Sequence, residues 1–157
     1  VWNGATPTSG RGFYNATALE ALATSDAPGH SNFILTDNNV TSYDWLATQA
    51  DPDRWATASK GPCPVGYHVP TDAQWATADS FGAWSSNTDT YNSALKLPSA
   101  GIRDRVDGLL YGQGTLGYYW SSSVSGANAR NLLFHSTSAY TTSNHRALGF
   151  TVRCLKD

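Results

Sequence analysis

The stretch Gly61–Trp75, GPCPVGYHVPTDAQW, decides how the rest of the chain is read. Pro62, Pro64 and Pro70 fix their own φ and remove backbone donors, so the segment up to Pro70 is extended rather than helical. Thr71 then offers an N-cap hydroxyl, and Gln74 stands at the capping-box position three residues on. Asp72 falls in the first turn, where the helix dipole favours an acid. That role accounts for Asp72 without any chemistry. The spacing predicts a helix that starts near Asp72, buries Trp75, sets Ala78 on the same face with Phe81 three residues further on, and ends at Gly82.

Upstream, Asn15–Thr24 has Leu19 and Leu22 at helical spacing, 25–30 is turn chemistry, and Phe33–Leu35 is a short apolar run before the loop TDNN. Downstream, a second short helix is expected over Tyr91–Leu95. From Gly101 onward the chain reads as short strands and glycine turns. Alternation in NLLFH (131–135) puts Leu132 and Phe134 on one side, with Asn131, Leu133 and His135 on the other. In GFTVRC (149–154), Phe150, Val152 and Cys154 share a side against Thr151 and Arg153. An outward Leu133 beside an outward His135 is unusual for a plain solvent face. In GYYWSSSVSG (117–126), three aromatic residues run straight into three serines.

A chain of 157 residues with 40% hydrophobic residues and six Trp suits one domain with its own core. Only 14% of residues are charged, the net charge is −2, and Glu20 is the lone glutamate. No basic face for phosphates is visible, which argues against nucleic acid as a partner. No apolar run reaches the roughly 20 residues of a membrane span. The chain contains no Met and reads as a fragment or processed form. Its Gly-, Ser-, Thr-, Asn- and Tyr-rich composition is common outside the cell. Cys63 and Cys154 are either two buried thiols or a disulfide. A bridge closing so long a loop is worth roughly 4–5 kcal/mol in the chain-entropy model and needs an oxidising compartment.

Catalytic signals are sparse. His30, His68, His135 and His145 form no close metal-binding pair. The SSS serines lack a G-x-S-x-G context, and DGLLYGQGTLG has neither a phosphate-loop lysine nor a following helix. Asp37, Asn38 and Asn39 could contribute to a calcium site but lack the loop spacing. The chain is therefore expected not to be an enzyme and to need no cofactor or metal.

The ordered set CPVGYHVPTDAQW, LKLPSAGIR, GYYWSSS and GFTVRC resembles two related groups. One is a bacterial group of paralogous domains with the pattern C-P-x-G-[WY]-H-V-P-T-[DE]-x-x-W. The other is the variable proteins of diversity-generating retroelements. The resemblance runs from about Asp26 to Asp157 and is strongest from Pro62. It implies an α+β, C-type-lectin-like fold, loop-rich, with short helices on small antiparallel sheets, related to the formylglycine-generating enzymes. The sugar-binding triplets of calcium lectins and the reactive cysteine pair of those enzymes are not evident.

In the retroelement group, selected adenine-containing codons near the 3′ end are rewritten. The resemblance implies a fixed frame of Arg103, Gly108, Gly114, Gly117, Trp120, Ser121, Ser122, Leu132, Phe134, Gly149, Phe150, Val152 and Arg153. It makes Trp120 the core anchor of YYW, with Tyr118 outward by parity and Tyr119 unassigned. It implies variable, ligand-contacting positions at Asp104, Arg105, Val106, Leu109, Tyr111, Leu116, Tyr118, Asn131, Leu133, His135, Ser138, Tyr140, Thr142, Asn144, His145 and Leu148, all within residues 101–157. Tyr there adds rigid contact area, and Ser and Asn add adaptable hydrogen bonds. The implied function is recognition of a protein or other surface ligand, displayed on a cell surface or phage tail. The alternative is a non-diversified structural or adhesion domain of a bacterial surface protein. A divergent enzyme of the formylglycine-generating type is a third, weaker reading.

Overall fold

The computed structural model describes residues 33–36, 44–46, 55 and 61–157. The expected helix over Asn15–Thr24, the turn at 25–30, His30 and the calcium candidates Asp37, Asn38 and Asn39 lie outside the described residues. Within them the protein is α+β. In chain order come β1 (Tyr67–His68), α1 (Asp72–Gly82), α2 (Asn87–Asn92), β2 (Ile102–Arg103), β3 (Leu110–Tyr111), β4 (Gly117–Ser125), β5 (Asn128–His135), β6 (Ser138–His145) and β7 (Leu155–Lys156).

The start of α1 follows the sequence reading. Gln74 N–H donates to Thr71 Oγ1 at 3.2 Å, and Thr71 N–H donates to Gln74 Oε1 at 2.8 Å. Its far end differs. Ala83, not Gly82, takes the left-handed conformation, at φ 46°. Gly82 is required for another reason: a Cβ there would lie 2.1 Å from the Trp84 indole. Phe81 is 89% exposed rather than buried. Two steps of three residues from Trp75 turn the helix about 120° off the buried face, because a turn takes 3.6 residues. The second helix also lies earlier than expected. Ser86 caps it, accepting from Asp89 N–H at 3.3 Å, while the Asp89 carboxylate accepts from the backbone N–H of Ser85 and from both serine hydroxyls. Those bonds, the Ser85 N–H foremost, hold Asp89 below its usual carboxylate range.

The main sheet has the order β4-β5-β6, antiparallel throughout. Gly117 pairs with Phe134, Tyr118 with Leu133, Tyr119 with Leu132 and Trp120 with Asn131. On the other side Asn131 pairs with Thr142, Leu133 with Tyr140 and His135 with Ser138. One face buries Tyr119, Leu132 and Phe134 against Trp75, Trp84 and Leu97. Full burial of a side chain such as Phe134 contributes about 2–3 kcal/mol. Trp75 meets the Tyr119 ring edge-on at 6.0 Å, and its indole N–H donates to Trp120 O at 3.1 Å.

This corrects the reading of YYW. Tyr119 is the residue of the central core, and its hydroxyl donates to Pro98 O at 3.0 Å. Burial pushes that hydroxyl up to about 12, so it remains a donor. Trp120 is buried too, but on the opposite face, which it shares with Tyr118 because side chains two apart in a strand point the same way.

GFTVRC is not a strand. Gly149 bridges Arg103, Thr151 runs parallel to Tyr119, and only Leu155 and Lys156 pair regularly, with His68 and Tyr67. Through these bridges β2 and β3 are linked to the edge of β4. Cys63 and Cys154 are joined in a disulfide.

A smaller cluster of Ile34 and Leu46, with Trp45 against it, lies apart from the main core. Asp44, only 1% exposed, accepts from Leu46 N–H and pairs with Arg146 at 3.4 Å. Removing the arginine leaves a buried carboxylate undercompensated. Arg146→Ala should therefore cost about 3 kcal/mol in urea denaturation. A methyl at Gly117 would sit 2.0 Å from the Phe134 ring in a filled core. Gly117→Ala should lower stability by about 2 kcal/mol, measured the same way.

Candidate functional site

The register of β4, β5 and β6 gathers many of the sequence-predicted positions. Tyr118, Leu133 and Tyr140 form one row across the three strands, and Trp120, Asn131 and Thr142 form the next. By alternation His135, Ser138 and Asn144 point to the same side. This face lies opposite the one packed on Trp75 and Leu97. Its strand positions hold no Asp, Glu, Lys or Arg, so aromatic surface, hydroxyls and amides provide its chemistry.

The face is not uniformly outward. Tyr140 is 43% exposed and Tyr118 half-buried, whereas Leu133 is buried and Asn131 fully so. The expectation that Asn131 and Leu133 look outward is thus corrected. Both occupy the middle strand, flanked on both sides, and the Asn144 amide donates to Asn131 Oδ1 at 3.0 Å. Phe150 closes part of the same side. Its ring stacks on Trp120 at 4.1 Å and lies 4.7 Å from Tyr118. Burial, with the nearby Tyr140 hydroxyl second, raises the Tyr118 hydroxyl above its ordinary value of 10.0. At the far end the His135 ring meets Tyr140 edge-on at 6.4 Å.

A serine–histidine pair sits here, with His135 Nε2 and Ser138 Oγ 2.7 Å apart. On the other ring nitrogen, Thr137 N–H approaches His135 Nδ1 at 3.4 Å.

The remaining positions lie elsewhere. Asp104, Arg105, Val106 and Leu109 occupy the β2–β3 loop. Leu116 lies over Gly112 just before β4, where a Cβ on the glycine would meet its side chain at 2.6 Å. Arg105 is tied to the segment at 33–36: its carbonyl accepts from Thr36 N–H at 2.8 Å, and its guanidinium donates to Thr36 Oγ1 at 3.0 Å. Leu109 and Tyr111 are 50% and 47% exposed. Asp107, which the sequence reading did not single out, holds Tyr111 through a 2.5 Å bond from the phenol. That bond lowers Asp107 and raises Tyr111 relative to their ordinary values. His145 ends β6, and Leu148 follows in the turn, its N–H donating to His145 O.

Sequence reasoning also missed the Trp120–Phe150 stack as a part of this face. The equal parity of Tyr118 and Trp120 was the available signal. Among the described residues no group of three or more His, Cys, Asp or Glu could hold a metal ion, and no helix is long and apolar enough to cross a membrane. Compared with family models, curated proteins and solved structures, the chain matches none.

Burial, and then the Arg105 charge, hold the His145 imidazole below its ordinary value of 6.5. The unfolded chain therefore takes up the proton more readily than the folded one. This site's contribution to stability is complete above the unfolded value and is lost as pH falls towards the lower folded value. The urea midpoint should drop between about pH 7 and about pH 5, and drop less in His145→Gln.

Proposed function

We propose that this chain is a ligand-binding module of C-type-lectin-like architecture, and that it is a diversified recognition protein of a diversity-generating retroelement. In this reading the face of β4, β5 and β6 opposite the main core chooses the ligand, and the core face holds the fold. One observation carries it. The positions marked as variable by the family resemblance, Tyr118, His135, Ser138, Tyr140, Thr142 and Asn144 among them, share a side of one sheet, while frame residues Leu132 and Phe134 occupy the other.

The chemistry of that side suits a displayed recognition surface. Tyr118 and Tyr140 offer rigid, amphipathic area, and the hydroxyls and amides around them adapt to different partners. Three or four such anchors support micromolar binding after association costs. The partner is a protein or another surface ligand, and display is extracellular, on a cell or a virion. Catalysis, a cofactor, nucleic-acid binding and membrane insertion form no part of the proposal.

A second reading, a structural or adhesion domain without diversification, draws support from Asn131 and Leu133. Both are buried and closely surrounded, as fixed residues would be.

Sequencing the last third of this gene across a host population separates the two. The diversified reading expects substitutions at the codons for Tyr118, His135, Tyr140 and their neighbours, none at Gly117, Tyr119, Leu132 or Phe134, and a template copy nearby. A uniform gene with no template transfers the weight to the structural domain.

A further inference from the structure

We propose that residues 149–157 form a disulfide-fastened strap, a thiol-sensitive device that sets Phe150 against Trp120 and Tyr118 and so shapes the candidate binding face. The significance of that face rests on the function proposed above; the strap itself rests on geometry alone.

The strap is held at separate points. Gly149 and Arg103 exchange two backbone bonds, at 2.8 and 2.9 Å. Trp120 N–H donates to Thr151 O at 2.9 Å, and Thr151 N–H donates to Tyr118 O at 3.0 Å. Between these bonds Phe150 lays its ring on Trp120. Further on, β7 pairs with β1 over only two residues, and Asp157 N–H donates to Gly66 O at 3.1 Å. The Asp157 carboxylate lies 2.6 Å from His68 Nδ1. None of these residues belongs to the main core cluster of Trp75, Trp84, Leu97, Tyr119, Leu132 and Phe134. The main core is thus built without the strap.

The covalent tie between Cys63 and Cys154 is therefore the strongest single hold on the chain beyond Thr151. Both cysteines are partly exposed, between exposed Pro62 and Pro64 on one side and exposed Arg153 and Leu155 on the other. A dithiol can reach them. Its thiolate attacks one Sγ, the Sγ–Sγ bond breaks, and the other cysteine leaves as a thiolate and takes a proton. The reagent's second thiol then displaces the first cysteine and closes a cyclic disulfide. Two electrons pass to the protein, which ends with two thiols. With the tie cut, a few backbone bonds and the ring contacts with Trp120 and Tyr118 hold Phe150. Such short, edge-bound segments open locally, well below the cost of global unfolding.

The test is amide hydrogen exchange on the whole chain, before and after reduction with dithiothreitol, and on the Cys63→Ser/Cys154→Ser double variant. Reduction also lowers global stability, so exchange at Leu132 and Phe134 rises with it, and exchange at Trp120 and Thr151 should accelerate by at least about tenfold more than theirs. Equal acceleration across β5 would overturn the proposal, since the disulfide would then hold the domain as a whole. Unchanged exchange at Trp120 and Thr151 would overturn it as well. If the double variant does not fold, the reduced native chain gives the same readings. No ligand enters the measurement, so its result stands whatever the codons of the candidate face reveal.

Discussion

The placement of Trp75 is the contact on which the rest of the structure depends. Its ring meets Tyr119 and its indole N–H bonds to Trp120 O, so one side chain joins α1 to β4 through both apolar and polar contact. The N-terminus of α1 is fixed to the same strand by Ser123 Oγ, which accepts from Asp72 N–H, and by Pro70 O, which accepts from Ser122 N–H. Arg130 on β5 adds an ion pair to Asp72 at 3.1 Å. An indole N–H left without a partner in this core would carry a desolvation cost, so the helix is held to one position along the strand.

Covering one side of the sheet with α1 leaves the other side to be finished differently. There the aromatic residues Tyr118, Trp120 and Phe150 stack on one another, and no helix lies over them among the described residues. The result is a side with a firm interior and a softer rim. Asn131 and Leu133 are enclosed at its centre, and Tyr140 stands open on the edge strand. In the function proposed above, anchors supported from beneath lose little freedom when a ligand arrives. The segment that carries Phe150 is attached to that side by its backbone bonds to β4 and by the Cys63–Cys154 bridge.

With few charges available, hydroxyl groups do much of the polar work. Thr71, Ser86 and Ser123 meet helix N-terminal donors, and Ser121, 1% exposed, accepts from Ser123 N–H at 3.0 Å. Short side chains lose little rotamer freedom when they make such bonds. This gives physical content to a composition that otherwise reads only as polar and loop-rich.

The amino-acid sequence by itself determined the start of α1, the burial of Trp75 and the core side of β5 at Leu132 and Phe134. Each rests on local rules: a capping box, proline's fixed φ, and the two-residue period of a strand. Only the tertiary structure decided that Tyr119 rather than Trp120 enters the main core, that Phe81 lies outside it, and that Asn131 and Leu133 are enclosed. Alternation tells which side chains share a face, but not what covers that face. Here Phe150 closes over Trp120 from a segment about thirty residues further along the chain, held there by its backbone bonds to β4. No spacing within either segment encodes that contact.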